Sequence, residues 1–220
     1  MAGSQEATVH PAALVEENVS LGAGTHVWDG AHIRRGARVG RSCIVGEKTY
    51  IAYDVAIGDF VKLNASVYVC AGVRIEDFCM ISAHVVFTND RYPRAGNADL
   101  SGLETSAPTE ETLETVVSRG TTIGANATIG PGIELGEFSM IGMGSVVTRS
   151  VPPYRLVLGN PARPVGWVCA CGPVLTRSDS PHRGEPDRPF RCERCSREYA
   201  LGPEGLRPVR DGPAASPGTR

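Results

Sequence analysis

Two pairs of cysteines near the end of the sequence carry its most explicit chemistry: Cys169-Ala170-Cys171 and Cys192-Glu193-Arg194-Cys195. Thiolates are soft ligands, and four of them in two close pairs suit one tetrahedral ion, with structural zinc the expected occupant. A full thiolate set leaves no coordination position open, so such an ion would serve the fold and not a reaction. A second concentration of functional groups is Phe87-Thr88-Asn89-Asp90-Arg91-Tyr92-Pro93-Arg94. Aromatic, amide, carboxylate and guanidinium groups crowded into one short run mark a segment that builds a site. A third is Gly159-Asn160-Pro161-Ala162-Arg163-Pro164, a turn-forming run that carries an arginine.

These groups are positioned by a repeat. Steps of six from Val15 reach Leu21, Val27, Ile33, Val39, Val45, Ile51, Ile57, Leu63, Val69, Ile75 and Ile81, and every one is aliphatic. The register resumes at Val117, Ile123, Ile129, Leu135, Ile141 and Val147. Small or β-branched residues follow four places later, as at Thr25, Ala31, Cys43, Thr49 and Cys79, and glycine often follows the anchor directly. A period of six does not match a helix. It fits short strands that turn a corner every hexad, so that roughly eighteen residues complete one three-sided coil whose equivalent positions stack in parallel ladders. The expected fold is all-β, a left-handed parallel β-helix of hexapeptide repeats over 15–86 and 117–152. Its six coils would make a column of roughly 29 Å at about 4.8 Å per step. Cys43 and Cys79 fall at inward positions and read as core, whereas Cys70, directly after an anchor, is expected to face outward.

Residues 87–116 interrupt the hexads with a polar, acidic excursion that includes Glu104, Glu110 and Glu114. An ordered loop of that length costs entropy and therefore implies a use. The predicted organisation is a lead-in over 1–14, the β-helix with its insertion over 15–163, and a cysteine-rich zinc-ribbon-like appendage over 164–202. A disordered Pro-, Gly- and Ser-rich tail would follow over 203–220.

The chain has 220 residues, a formal net charge of -2, and only two lysines, Lys48 and Lys62. No basic surface announces a nucleic acid, and no apolar run approaches the length of a membrane span. The first residues lack the order of a signal peptide. A cytoplasmic protein is expected, where seven cysteines stay reduced as core thiols or metal ligands.

Residues 15 to about 168 resemble the left-handed β-helix N-acetyltransferases that modify amino groups on nucleotide-linked sugars. The nearest likeness is to UDP-2-acetamido-3-amino-2,3-dideoxyglucuronate N-acetyltransferases. The carrying segments are Val27–His32, the run from Phe87 to Arg94, Ile123-Gly124-Ala125-Asn126-Ala127-Thr128-Ile129, and Gly159-Asn160-Pro161-Ala162-Arg163. The resemblance implies a homotrimer with acetyl-CoA lying in the cleft between adjacent prisms. Gly124, Ala127 and Gly142, with Ala125 and Gly144, would then give the pantetheine arm close approach, Asn126 would bond a cofactor amide, and Arg163 would meet a CoA phosphate. It also implies that Asp90, Tyr92, Arg94 and Lys62 bind the nucleotide-linked amino sugar, Tyr92 either stacking on the base or packing against its own loop.

Two departures fall near the implied acceptor pocket. Lys62-Leu63-Asn64-Ala65 stands where the family has Lys-Ile-Gln-Asn, so the asparagine near the acceptor amine aligns with Ala65 and Asn64 is its stand-in. Ser82-Ala83-His84 replaces Gly-Pro-Ser or Gly-Pro-Asn. Catalytic candidates are therefore His84, Asn89 and Asn64. The reaction would be direct aminolysis of the thioester, with His84 either a base or a positioning residue. Two other readings remain open: a non-enzymatic trimeric scaffold that recruits a protein through the zinc segment, and an acyltransferase for another amine or alcohol.

Overall fold

The computed structural model describes residues 6–105, 107–110, 112–177 and 189–210, and every regular element among them is a strand. The hexads build a left-handed parallel β-helix. Three ladders form its faces. The first face stacks Thr8–Val9, His26–Val27, Ile44–Val45, Lys62–Leu63, Met80–Ile81, Thr122–Ile123, Met140–Ile141 and Arg155–Leu158. The second stacks Leu14–Val15, His32–Ile33, Tyr50–Ile51, Tyr68–Val69, Val86–Phe87, Thr128–Ile129 and Val146–Val147. The third runs from Ser20–Leu21 through Arg38–Val39, Ala56–Ile57, Val73–Ile75 and Thr115–Val117 to Glu134–Leu135.

In the two-residue rungs the first side chain points out and the second points in. From Val27 to Val147 no hexad anchor is more than 5% exposed. The inward hydroxyls are satisfied locally: Thr25 Oγ1 donates to the Gly40 carbonyl at 2.7 Å, and Thr49 Oγ1 to that of Asn64 at 3.0 Å. The first rung is Thr8–Val9, ahead of the first anchor read from the sequence, and the first face has eight parallel rungs where six coils were expected. On the same count the column is correspondingly longer, about 38 Å. Of the early rungs only Thr8–Val9 lies outside the register read from the sequence, and its anchor position Val9 is exposed.

Most corners hold one residue in the left-handed region, and these residues stack into three edges. The edge between the first and second faces carries Gly30, Lys48, Ser66, His84, Asn126 and Gly144. The edge between the second and third carries Asn18, Gly36, Asp54, Gly72 and Gly132. The edge between the third and first carries Gly24, Ser42, Phe60, Phe78, Gly120, Phe138 and Tyr154. There the rings of Phe60 and Phe78 stack at 4.9 Å and those of Phe138 and Tyr154 at 5.4 Å.

The insertion leaves after Phe87 and returns at Thr115, whose N–H donates to the Gly72 carbonyl at 2.9 Å. It therefore springs from the edge between the second and third faces. After Val147 the chain adds Arg155–Leu158 to the first face and turns. It then runs back antiparallel as Arg163–Val168, followed by Val174–Thr176. Phe190–Arg191, Glu198–Gly202 and Gly205–Arg210 form a separate antiparallel sheet. The last strand corrects the expectation of disorder from residue 203. Pro203 and Glu204 make a tight turn, and Leu206 is buried beside Tyr199 in a second apolar cluster. Residues 211–220 of the expected tail lie outside the described residues. Cys43 and Cys79 are core, as expected, but so is Cys70, at 4% exposure. Its backbone passes into a corner that the insertion covers, and burial, with a contribution from Asp90, pushes its thiol up to about 12. No helix among the described residues is long and apolar enough to cross a membrane.

Candidate functional site

His84, Asn126 and Gly144 occupy consecutive rungs of the edge between the first and second faces. The Asn126 N–H donates to the Ala83 carbonyl at 3.0 Å, and that of Gly144 to Ala125 at 2.8 Å. The side chains of His84 and Asn126 are exposed. Asn64 lies on the ladder beside this edge, in line with Gly46, Ser82, Gly124 and Gly142. The edge ends at the turn Gly159–Ala162, which is stitched to the last rung of the second face. Val146 donates to the Gly159 carbonyl at 2.9 Å, and Ala162 donates to the Val146 carbonyl at 2.8 Å. Arg163 follows this turn with its guanidinium exposed and one Nη1–H on the Ala162 carbonyl. Asn64, His84, Asn126 and Arg163 are thus brought into one line.

The glycines of that line have different reasons. A Cβ at Gly124 would strike the backbone of Gly142 and Met143, and one at Gly142 would strike the side chain of Leu158. Both are dictated by rung-to-rung contact within the protein. A Cβ at Gly144 would meet nothing within 4 Å, so this glycine leaves open space on the edge. Ala127 is fully buried in the prism, which removes its side chain from any contact with a ligand in an outer cleft.

The insertion residues lie elsewhere. Asn89 Nδ2 donates to the Ala71 carbonyl at 3.3 Å, on the edge between the second and third faces. Asp90, Tyr92 and Arg94 are exposed, Tyr92 by 84%. His84 and Asn89 flank the strand Val86–Phe87 on either side, so one sheet face, about 15 Å of chain, separates them. Within one chain, Asn89, Asp90 and Arg94 therefore do not share a site with the candidate His84. Lys62 points outward from the first face, beside Ile44 and Met80.

One cluster escaped the sequence reading. Glu16 Oε1 pairs with His32 Nε2 at 2.9 Å and with Arg34 Nε at 2.6 Å, while Arg34 Nη1 donates to the Tyr50 hydroxyl at 2.9 Å. The Arg34 guanidinium lies 4.1 Å from the centre of the Tyr53 ring. The backbone N–H of Arg35, then His32 and Arg34, hold the Glu16 carboxyl below its usual value of 4.5. Glu16, Glu17, Arg34, Arg35 and Tyr53 line an open cleft of about 470 Å³. The signal was one coil of spacing, Glu16 to Arg34 and His32 to Tyr50, which becomes adjacency only once the coil closes.

The four cysteines do converge. Their sulfurs all lie within 4.8 Å of one another, with Cys169 3.4 Å from both Cys171 and Cys195, and Cys171 3.6 Å from Cys192. Four ligands about 2.3 Å from one tetrahedral ion would stand roughly 3.8 Å apart, so the set fits a metal. Hydrogen-bond donors also converge on the sulfurs. The fully buried Tyr199 hydroxyl lies 3.1 Å from Cys169 Sγ and accepts the Ala170 N–H at 3.0 Å. Arg197 Nη1 lies 3.9 Å from Cys195 Sγ.

Residues 114–149 match the family described as bacterial transferase hexapeptide (six repeats). Over that stretch the chain carries repeats of the bacterial transferase hexapeptide type. Among curated relatives, the dTDP-3-amino-3,6-dideoxy-alpha-D-galactopyranose 3-N-acetyltransferase of Aneurinibacillus thermoaerophilus is 50% identical over 66 residues. The match covers 30% of this chain and 34% of that protein. The bifunctional protein GlmU of Thermotoga petrophila is 28% identical over 134 residues, covering 55% of this chain and 30% of its own length. The chain therefore spans about a third of each of these relatives. PerB from Caulobacter crescentus, solved with CoA and GDP-perosamine, aligns at 21% identity and a TM-score of 0.43. That alignment covers 74% of this chain and 58% of PerB.

Proposed function

We propose that this hexapeptide-repeat protein moves the acetyl group of acetyl-CoA to the amino group of a nucleotide-linked amino sugar. The observation that carries the reading is the line of His84, Asn126 and Gly144 on an exposed edge that ends beside Arg163. The likeness to a relative named for 3-N-acetylation of a dTDP-linked amino sugar supports the same chemistry. CoA lies along this edge, its phosphates at Arg163, its amides within reach of Asn126, and its thin arm in the space left by Gly144. The acceptor nitrogen attacks the thioester carbonyl. An N–C bond forms, the C–S bond breaks, and the amine proton leaves with the CoA sulfur. A thioester is already activated, so alignment supplies most of what catalysis needs. His84 and Asn64 orient the amine in this scheme.

Asn89, Asp90, Tyr92 and Arg94 hold the sugar nucleotide, with Arg94 as a bidentate donor to its anionic group and Lys62 as a second cation. Because they stand across a sheet face from His84, the complete site needs the edge of one subunit and the insertion of a neighbour. A homotrimer meets that need. Zinc on Cys169, Cys171, Cys192 and Cys195 has a structural role, and the free thiols suit a reducing, cytoplasmic setting.

Mass spectrometry after incubation with acyl-CoAs and a panel of amino-sugar nucleotides tests the reading. The expected result is one acetylated amino sugar, with Asp90→Ala and Arg94→Ala raising the acceptor KM and leaving the CoA Kd within twofold. Absence of any acylated product across the panel, or a monomer that turns over normally, refutes it.

A further inference from the structure

The four-cysteine site and the donor edge are joined by one strand. Arg163–Val168 begins at the exposed guanidinium and delivers its end directly into Cys169. Its two halves are held differently. Arg163 and Pro164 are exposed, and Pro164 has no N–H to give to its neighbour, the strand Arg155–Leu158. Trp167, Val168 and Cys169 are buried. Trp167 stacks under Arg155 at 4.3 Å, and its ring lies against Gly205 of the last strand. That grip belongs to the second apolar cluster, whose buried members are Tyr154, Trp167, Cys169, Phe190, Cys192, Tyr199 and Leu206. Two of them are thiols of the site. So small a cluster does not hold sheets together unaided, and units of this size draw their folding energy from a metal.

The fit of the site to a cation rests on more than four nearby sulfurs. The fully buried Tyr199 hydroxyl accepts the Ala170 N–H and, among the described residues, has Cys169 Sγ as the acceptor within reach of its proton, while Arg197 approaches Cys195. Donors arranged around sulfur offset the charge of a tetrathiolate and a divalent cation, in the way outer groups tune metal ligands. Four neutral thiols would not require them.

We propose that a divalent metal on Cys169, Cys171, Cys192 and Cys195 positions Arg163, and that metal binding is thereby coupled to CoA binding at the end of the edge. This inference rests on the donor reading given above. With the metal in place, the second cluster clamps Trp167 and the strand leaves the Gly159–Ala162 turn in a single direction. Without it, the strand frays from Trp167 backward, and Arg163 samples orientations that miss the phosphate. The solenoid, whose core is separate, persists. Arg163 is the ligand contact in this scheme, and Tyr199 and Trp167 are positioning residues.

The test uses the full chain, loaded with zinc or stripped by a chelator and reloaded, with hydrogen exchange and CoA calorimetry as readouts. Stripping is expected to abolish exchange protection over 163–176 and 190–210 and to spare that of the hexads. The CoA Kd is expected to rise about tenfold and to return on adding zinc. Arg163→Ala in the zinc-loaded protein should weaken CoA by a similar factor, and stripping that variant should weaken it no further. Cys171→Ser with Cys195→Ser should reproduce the stripped state without a chelator. Failure to bind a stoichiometric divalent ion overturns the proposal, as does unchanged protection over 163–168. So does equal CoA affinity with and without metal while Arg163→Ala remains impaired. If the zinc-loaded wild type binds no CoA, the donor reading and the coupling both fail. The exchange result then separately decides whether the metal holds the strand.

Discussion

The solenoid and the four-cysteine module solve the problem of holding short strands together in opposite ways. In the solenoid each rung is only two or three residues, yet its inward side chain meets equivalents above and below, so the apolar column is continuous from Val27 to Val157. Stability there is spread over many nearly identical neighbours. In the module three antiparallel strands share a few aromatic residues, and two cysteine-bearing turns close on one point. Stability there is concentrated. The difference teaches where each region is vulnerable: no single rung should be decisive in the first, and one coordination site should be decisive in the second. The two meet at Tyr154, whose ring stacks on Phe138 and meets the edge of Tyr199 at 5.6 Å.

The largest expected effect is in the module. Cys192→Ser with Cys195→Ser should reduce bound zinc from about one per chain to none and unfold residues 190–210. Zinc supplies roughly 10 kcal/mol or more of apparent folding energy to modules of this kind. Elemental analysis with exchange mass spectrometry checks it, and the contrast breaks if the hexads lose protection too. A smaller loss is expected within the solenoid. Phe87→Ala, at a fully buried rung beneath the insertion, should cost about 3–5 kcal/mol by denaturant unfolding, with zinc content unchanged. Loss of zinc in that variant would mean that the two cores are one.

On the exposed edge the expected change is catalytic. His84→Asn retains polarity at a left-handed corner that asparagine tolerates, so folding should be unaffected. A fall in kcat of less than tenfold is expected for a positioning residue. A fall of about 10² or more, relieved by raising pH, would instead make His84 a general base. The smallest effect concerns Glu16. Its carboxyl is held below 4.5 by the Arg35 N–H, His32 and Arg34, so its contribution is present above that value and fades as pH falls through the lower folded value. Glu16→Gln should therefore flatten the acid limb of the melting profile below pH 4.5 while leaving the module untouched.

The legible part of this protein is what repeats or lies close in sequence. A hexad is local: an aliphatic anchor and a small residue four places on specify a rung without knowledge of the rest of the chain, and stacking follows because identical rungs fit one another. The same holds for the four thiols, whose paired spacing announces that they converge before any sheet is drawn. Tertiary structure decided what depends on which corner a residue occupies. His84 and Asn89 are near in sequence yet stand on different edges, because a strand of the second face runs between them. His84 and Asn126 are far apart in sequence yet adjacent, because the insertion leaves and rejoins the column without disturbing its register. Cys70 is buried because the insertion covers its corner, and Gly205–Arg210 became a strand because Tyr199 and Trp167 gave Leu206 and Gly205 something to pack against. Periodicity specifies how a rung is built. Only closure of the coil specifies which side chains end on one edge, since that is set by the count of residues around the column and not by any residue's own preference.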